Sequence, residues 1–435
     1  MTKQLLLGSG LALALLAGCS PKEVILPGER LDLRDGLASA AVTEVNTTRA
    51  LNAGAPVANA DWAQIGGNAQ HLMPHPALAT SPQLAFVADI GRGDTRHGRL
   101  SIDPAVAGGV VYTIDSEAQL VATSTAGARL WAVSMVPAGE TVTGIGGGIA
   151  IDGGVVYATT GFGEVWALDA ATGAVLWRQD LNAAGASAPT VAGNDLFVVA
   201  RNGRGWAIDK ATGQTRWTVT GAGSVSQFGA SAPVAVSGDT VVFPFDSGQL
   251  VATYRNGGTR KWSSAVVGDR IGRPVGVMSG VSGAPVLSGQ TVYAANATGQ
   301  MSAFDLRTGQ IRWTADEGAV GQMWVAGGSI FAVNDINQLI RLDAENGAVI
   351  WRVALPDLIE KRFGRSRGAV AHYGPVLAGG QVIVASSDGQ LRLFDPVSGA
   401  QTGAVSLAKG AASAPVVAGG VLYVVNKDGQ LLAFR

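Results

Sequence analysis

The 435-residue chain is poor in cysteine, in histidine and in charge. One cysteine, Cys19, cannot form a disulfide within the chain, so the fold must hold by packing. Charged residues are 14% of the total, well under the usual quarter, and the net charge is −1. No basic field invites nucleic acid. Four histidines offer little metal chemistry. His71 and His75 have the spacing of paired helical ligands, but Pro74 lies between them and Pro76 follows, which disfavours a helix there. A glycine-rich phosphate loop, a serine-nucleophile elbow and a clustered Cys/His motif are all missing, and no acid–base pair stands out. These absences predict a chain without catalytic residues, metal or cofactor.

Glycine is abundant, at 61 residues, beside plentiful valine, alanine and threonine. That mixture suits many short strands joined by tight turns. The first residues differ. Leu5–Leu16 is apolar apart from Gly8, Ser9 and Gly10. The run is too short for a permanent membrane span and fits the core of a secretory signal. It ends in Leu16-Ala17-Gly18-Cys19, which resembles a bacterial lipobox, with the cysteine lipidated (as by palmitate) and first in the mature protein. Ser20 after it resembles the class sorted to the outer membrane. The expected organisation is a signal peptide over 1–18, a lipidated N-terminus and flexible tether over 19–60, and a single body over 61–435.

The body is repetitive. ALDAATGAVLW (167–177) recurs as AIDKATGQTRW, AFDLRTGQIRW and RLDAENGAVIW, and as LFDPVSGAQTG with Gly403 in place of the tryptophan. Tryptophans 131, 177, 217, 262, 313 and 351 recur roughly 45 residues apart, a spacing that with four short strands per unit signs a propeller blade. The recurring aspartates (Asp169, Asp209, Asp305, Asp343, Asp395) precede Thr-Gly or a close variant, so they read as turn residues rather than catalytic carboxylates. One ring per blade (Trp177, Trp217, Trp262, Trp313, Trp351) reads as a wedge between neighbours. The last unit has three strands, and SPQLAFVADIG (81–91) has the pattern of a fourth, with Phe86 at the tryptophan position. The sequence therefore predicts an all-β, eight-bladed propeller of four-stranded antiparallel blades, its last blade completed by an N-terminal strand.

The connections from one blade to the next differ in length, and the longest are the places to look for binding. SSAVVGDRIGRPVGVMSGVSGA (263–284) carries Arg270 and Arg273. VALPDLIEKRFGRSRGAVAHYG (353–374) carries Lys361, Arg362, Arg365 and Arg367, for which a short helix after Pro356 is the expected carrier. This basic loop reads either as a solvated surface or as a docking patch for an acidic partner or lipid head groups.

The lipobox, the single propeller and the Ala-x-Asp-x-x-Thr-Gly-x-x-x-Trp repeats together resemble the BamB lipoproteins of the outer-membrane β-barrel assembly machinery. The resemblance covers essentially the whole chain. It implies a non-enzymatic scaffold, a monomer within a complex, anchored in the outer membrane and facing the periplasm. Its implied partners are the POTRA domains of BamA, the rest of the assembly complex and unfolded outer-membrane protein clients. The repeat also occurs in quinone-dependent dehydrogenases, so the alternatives are a pyrroloquinoline-quinone-dependent periplasmic enzyme or another protein-binding propeller of the envelope. The vicinal disulfide of those enzymes cannot form here. In the family, two adjacent inter-blade loops bind the partner. They correspond to Val225, Gln227 and Phe228 before Ser231-Ala232-Pro233, and to Gly280 and Ser282 before Ala284-Pro285. The family's arginine falls on Phe228 and its aspartates on Gly280 and Ser282. Either the contact is more apolar in this chain or it has moved towards Arg270 and Arg273.

Overall fold

Strands of three to seven residues, turned by glycine pairs and Asp-Gly loops, build eight four-stranded antiparallel sheets. The computed structural model describes residues 46–95, 98–140, 146–222, 231–268, 280–359 and 368–435. Blades 1 to 7 span 105–134, 147–180, 190–220, 235–265, 286–315, 324–354 and 372–406, and blade 8 combines 416–434 with 84–89. A two-stranded ribbon, Leu358–Ile359 with Gly368–Ala369, rises between blades 6 and 7. Leu358, two residues after Pro356, already lies in this ribbon, so the expected helix does not start there, and Lys361, Arg362, Arg365 and Arg367 lie outside the described residues.

Blade 2 shows the local logic. Its inner strand Gly147–Asp152 reaches the second, Val155–Thr160, through Gly153-Gly154, whose φ angles are +57° and +78°. Two consecutive positive φ values make the tight turn that matches strand twist. The third strand, Glu164–Asp169, is buried over its four central residues because blades stack against both of its faces. The outer strand, Val175–Asp180, alternates exposed and half-buried residues because one edge meets water. Between them, Asp169 Oδ1 accepts from the Thr172 amide (2.8 Å) and hydroxyl (2.7 Å), and Gly173 at φ +74° donates to Asp169 O (2.8 Å). Those bonds from Thr172 hold the Asp169 carboxyl below its usual range. At Asp305 the Arg312 guanidinium, with the same turn amides, lowers it to about 2.

Each outer-strand tryptophan reaches the next blade. Its indole N–H donates to the carbonyl just past that blade's third strand: Trp177 to Lys210 O (3.1 Å), Trp262 to Leu306 O (2.8 Å), Trp351 to Pro396 O (3.1 Å). The ring covers a turn glycine there; a Cβ on Gly213 would sit 2.7 Å from Trp177. Gly403 breaks the series for a structural reason. The blade it would reach, blade 8, takes its last two strands from Gln430–Phe434 and Leu84–Asp89, which no hairpin joins. No turn carbonyl awaits an indole at that seam, and the Leu393 side chain lies 3.4 Å from where a Cβ on Gly403 would be.

Closure of the ring follows the expectation. Phe86 pairs with Ala433, Gln83 and Arg435 exchange backbone hydrogen bonds of 2.6 and 2.8 Å, and the Phe86 ring stands 6.5 Å from Tyr423. Joining the ends this way leaves no blade incomplete.

The stretch 46–60, expected within the tether, is instead fixed to the propeller. Thr47 N donates to Ile350 O (2.9 Å), and the Asn46 side chain brackets the Arg352 backbone at 2.9 and 3.0 Å. Residues 57–80 then fill the axial channel and visit the inner strands in turn. Asn59 bonds to Val417 O and to the Gly419 amide in blade 8. Trp62 exchanges two backbone bonds with Val106 in blade 1. Ala63 O, Gln64 Oε1, Ala69 O and Gln70 O accept from Ile151, Val191, Val236 and Leu287 in blades 2 to 5. His75 Nε2 and Pro76 O accept from Gly380 and Gly379 of blade 7. Blade 6 is met by ring contact, with Trp62 and Trp324 centroids 6.0 Å apart. Inner strands carry unpaired edges, and buried backbone groups must find partners. This segment supplies them.

Candidate partner-binding face

Connections between blades and the turns between second and third strands share one face of the ring. In blades 1, 5, 6 and 8 the latter turns are built on a buried Asp or Asn. Asp115 Oδ1 accepts from Glu117 and Gln119, and Asn296, Asn334 and Asn426 each accept in the same way from the residues two and four further on. The same side chains brace the inter-blade loops. Asn296 Nδ2 donates to Gly268 O (2.9 Å), Asn426 Nδ2 to Ala408 O (3.1 Å), and Asn334 Nδ2 to Glu317 Oε2 (2.8 Å). Residue-by-residue reading missed this role. The signal was the recurring Asx followed four residues later by Gln, as in Asn296…Gln300 and Asn426…Gln430.

Gly280 and Ser282 sit just before the inner strand of blade 5. A Cβ on Gly280 would lie 2.9 Å from Asp246 O, so the backbones approach closely there. Ser282 Oγ bonds to Ala319 O, towards blade 6, and Val281 bridges to Asn296. Gly268, Asn296, Ser282 and Ala319 thus form one bonded chain across blades 4 to 6. Val267 (76% exposed) stands at one end and Val320 (38%) at the other. Leu358, on the ribbon of the next loop, is also exposed. His372 pins that loop: its Nδ1 meets Ser386 Oγ at 2.8 Å and its Nε2 meets Pro356 O at 3.0 Å. Burial holds the His372 imidazole below its usual range. Val225, Gln227, Phe228, Arg270 and Arg273 lie outside the described residues, as does Cys19.

The propeller axis is the other place to look. Trp62, Ile65 and His71 from the N-terminal segment close a cavity of about 30 Å³ against Asp103, Gln322, Met323 and Trp324. His71 Nδ1 donates to Pro285 O (2.8 Å), leaving Nε2 as an acceptor without a protein partner, and burial lowers its pKa to about 4. Burial raises Asp103 to about 6, partly offset by the bond it accepts from the Ala414 amide (2.7 Å). A cavity of this size holds about one water molecule. It does not fit a quinone cofactor of the kind dehydrogenase propellers use. Among the described residues, three or more His, Cys, Asp or Glu side chains are nowhere grouped to hold a metal.

The chain is 28% identical to outer membrane protein assembly factor BamB of Escherichia coli K12 over 326 residues, 73% of this chain and 80% of that protein. It is 28% identical to the Salmonella typhimurium protein of the same name over 300 residues, 67% and 73% of the two chains. In three dimensions it is similar to BamB from Moraxella catarrhalis, with a TM-score of 0.67 and 18% identity, covering 82% of this chain and all of that one. Quinohemoprotein alcohol dehydrogenase from Comamonas testosteroni shares the fold, with a TM-score of 0.65 and 15% identity over 92% and 83% of the two chains. The family model for outer membrane protein assembly factor BamB matches residues 116–353 and 347–435, and the chain belongs to that family.

Proposed function

We propose that this protein is a non-enzymatic scaffold of outer-membrane β-barrel assembly, anchored in the outer membrane through a lipid on Cys19 and facing the periplasm. Its partner is the periplasmic POTRA region of BamA, docked on the face that carries the inter-blade loops. The observation that supports this most is the placement of exposed apolar residues. Val267, Val320 and Leu358 stand on loops held by buried Asn296 and His372 and half-buried Ser282. Rigidly presented apolar side chains suit protein docking, because little ordering is needed on binding. The apolar character fits a contact in which the family's arginine and aspartates are replaced by Phe228, Gly280 and Ser282. Affinity purification of the intact protein from its native envelope tests the reading. BamA should be the principal partner recovered; recovery of unrelated envelope proteins without BamA would overturn it.

A further inference from the structure

One position of the repeat departs from its neighbours in a way the propeller itself does not require. Opposite the outer-strand ring, the third strand carries alanine in six blades: Ala122, Ala167, Ala207, Ala252, Ala303 and, opposite Phe86, Ala433. In blade 6 the same position, opposite Trp351, is Arg341. Its side chain is fully buried. A guanidinium in such a place is costly unless its donors are met.

Each of its nitrogens has a partner, and two of the acceptors come from outside the blades. Nε donates to Ser329 Oγ (3.0 Å) and Nη1 to Pro396 O (2.9 Å), both within the ring. Nη1 also donates to Arg49 O (2.6 Å) and Nη2 to Ala50 O (3.1 Å). Around this pair of carbonyls the backbone is fastened on both sides of the seam. Thr47 N is bonded to Ile350 O in blade 6, and Arg49 N to Val397 O in blade 7 (3.4 Å). The Arg49 side chain turns to Asp343. Asp343 and Asp395 also supply the negative potential that accompanies the buried Arg341 cation.

We infer that Arg341 is the socket for the segment 46–50 that precedes the axial stretch: it captures the carbonyls of Arg49 and Ala50 and fixes that segment at the outer edge of blade 6. Residues 46–50 therefore lie at the rim of one seam, although residues 57–80 fill the axis. Arg341 is a positioning residue that acts on the chain's own backbone, in the planar two-carbonyl geometry a guanidinium offers and an ammonium does not.

Amide-resolved hydrogen exchange on the full chain tests this. Arg341→Ala places in blade 6 the residue that six other blades carry, so the ring is expected to fold. Protection of the Thr47 and Arg49 amides should fall at least ten-fold, while that of Trp62 and Val106 in the axial ladder stays unchanged. Arg341→Lys, which keeps the charge and most of the volume, should lose protection at the same two amides. Unchanged exchange at Thr47 and Arg49 in Arg341→Ala would overturn the proposal. So would an equal loss at Trp62 and Val106, which would make Arg341 a general support of blade 6. Full protection in Arg341→Lys would also overturn it, since charge alone would then suffice.

Discussion

The two faces of the ring are built from the same eight repeats and have opposite characters. On one, every connection between inner and second strands turns in two residues beginning with glycine at φ near +55° to +60°, and residues 57–80 cover the axis. On the other, the inter-blade loops run as long as 266–285 and present exposed valines on buried braces. The closed face holds the ring together through these turns and the axial segment. The looped face adds length without adding to closure. On the proposed function, stability and recognition are therefore separable, and changes on the closed side should alter folding while changes on the looped side alter binding.

The largest effect belongs to closure. Removing residues 84–89 takes the outer strand from blade 8 and exposes the edge of Gln430–Phe434. The ring should lose cooperative thermal unfolding by circular dichroism, and a melt close to that of the intact chain would show that the shared blade contributes little. Next comes the wedge. Trp351 is fully buried, and Trp351→Ala should cost about 3–5 kcal/mol in urea denaturation. Trp177 is only partly buried, so Trp177→Ala should cost clearly less. Equal losses would mean that the indole bond to the next blade, common to both, outweighs burial.

A pH measurement addresses the axial plug. His71 has a folded-state pKa of about 4 against an ordinary 6.5. A histidine held neutral in the fold adds stability above the unfolded value, and that contribution fades as pH falls from 6.5 towards 4, by about 3 kcal/mol. Asp103 works in reverse. Its raised value, about 6, makes ionisation unfavourable in the fold, and the cost is relieved as pH drops below 6. The two trends offset each other in the native chain. Asp103→Asn should therefore unmask a steeper loss of stability between pH 6.5 and 4, read as urea midpoints. A flat profile in that variant would place the His71 titration elsewhere.

Much of the ring was legible because its determinants are local. Asp169, Gly173 and Trp177 specify turn and wedge within one short stretch, and the copies repeat it. The plug was not legible. Residues 57–80 bond through scattered backbone groups and single side chains such as Gln64 and Asn59, with no period to detect, and 46–60 had the composition of a linker. Arg341 was visible in principle, as the one charged residue in a column of six alanines and a leucine, but its meaning depends on carbonyls some 290 positions away in sequence, Arg49 and Ala50. The bracing role of Asn296 lay between these cases: the Asx-to-Gln spacing recurs, yet the loop it holds is known only from the fold.

The smallest effect on stability should accompany the largest on binding. Val267 is 76% exposed and sits beside Gly268, which Asn296 holds by its carbonyl. Val267→Asp removes no buried contact, so the melting temperature should stay within about 1 °C, as surface changes usually do. It places a carboxylate at the end of the Val267–Val320 patch, where docking would bury it without a partner charge. Capture of BamA from native envelopes should then fall several-fold at unchanged fold. Asn296→Ala sharpens the same point from beneath, since it frees the loop while leaving Val267 in place. A loss of capture in both variants would locate recognition on the braced valine. A loss only in Asn296→Ala would locate it on other residues of the same loop.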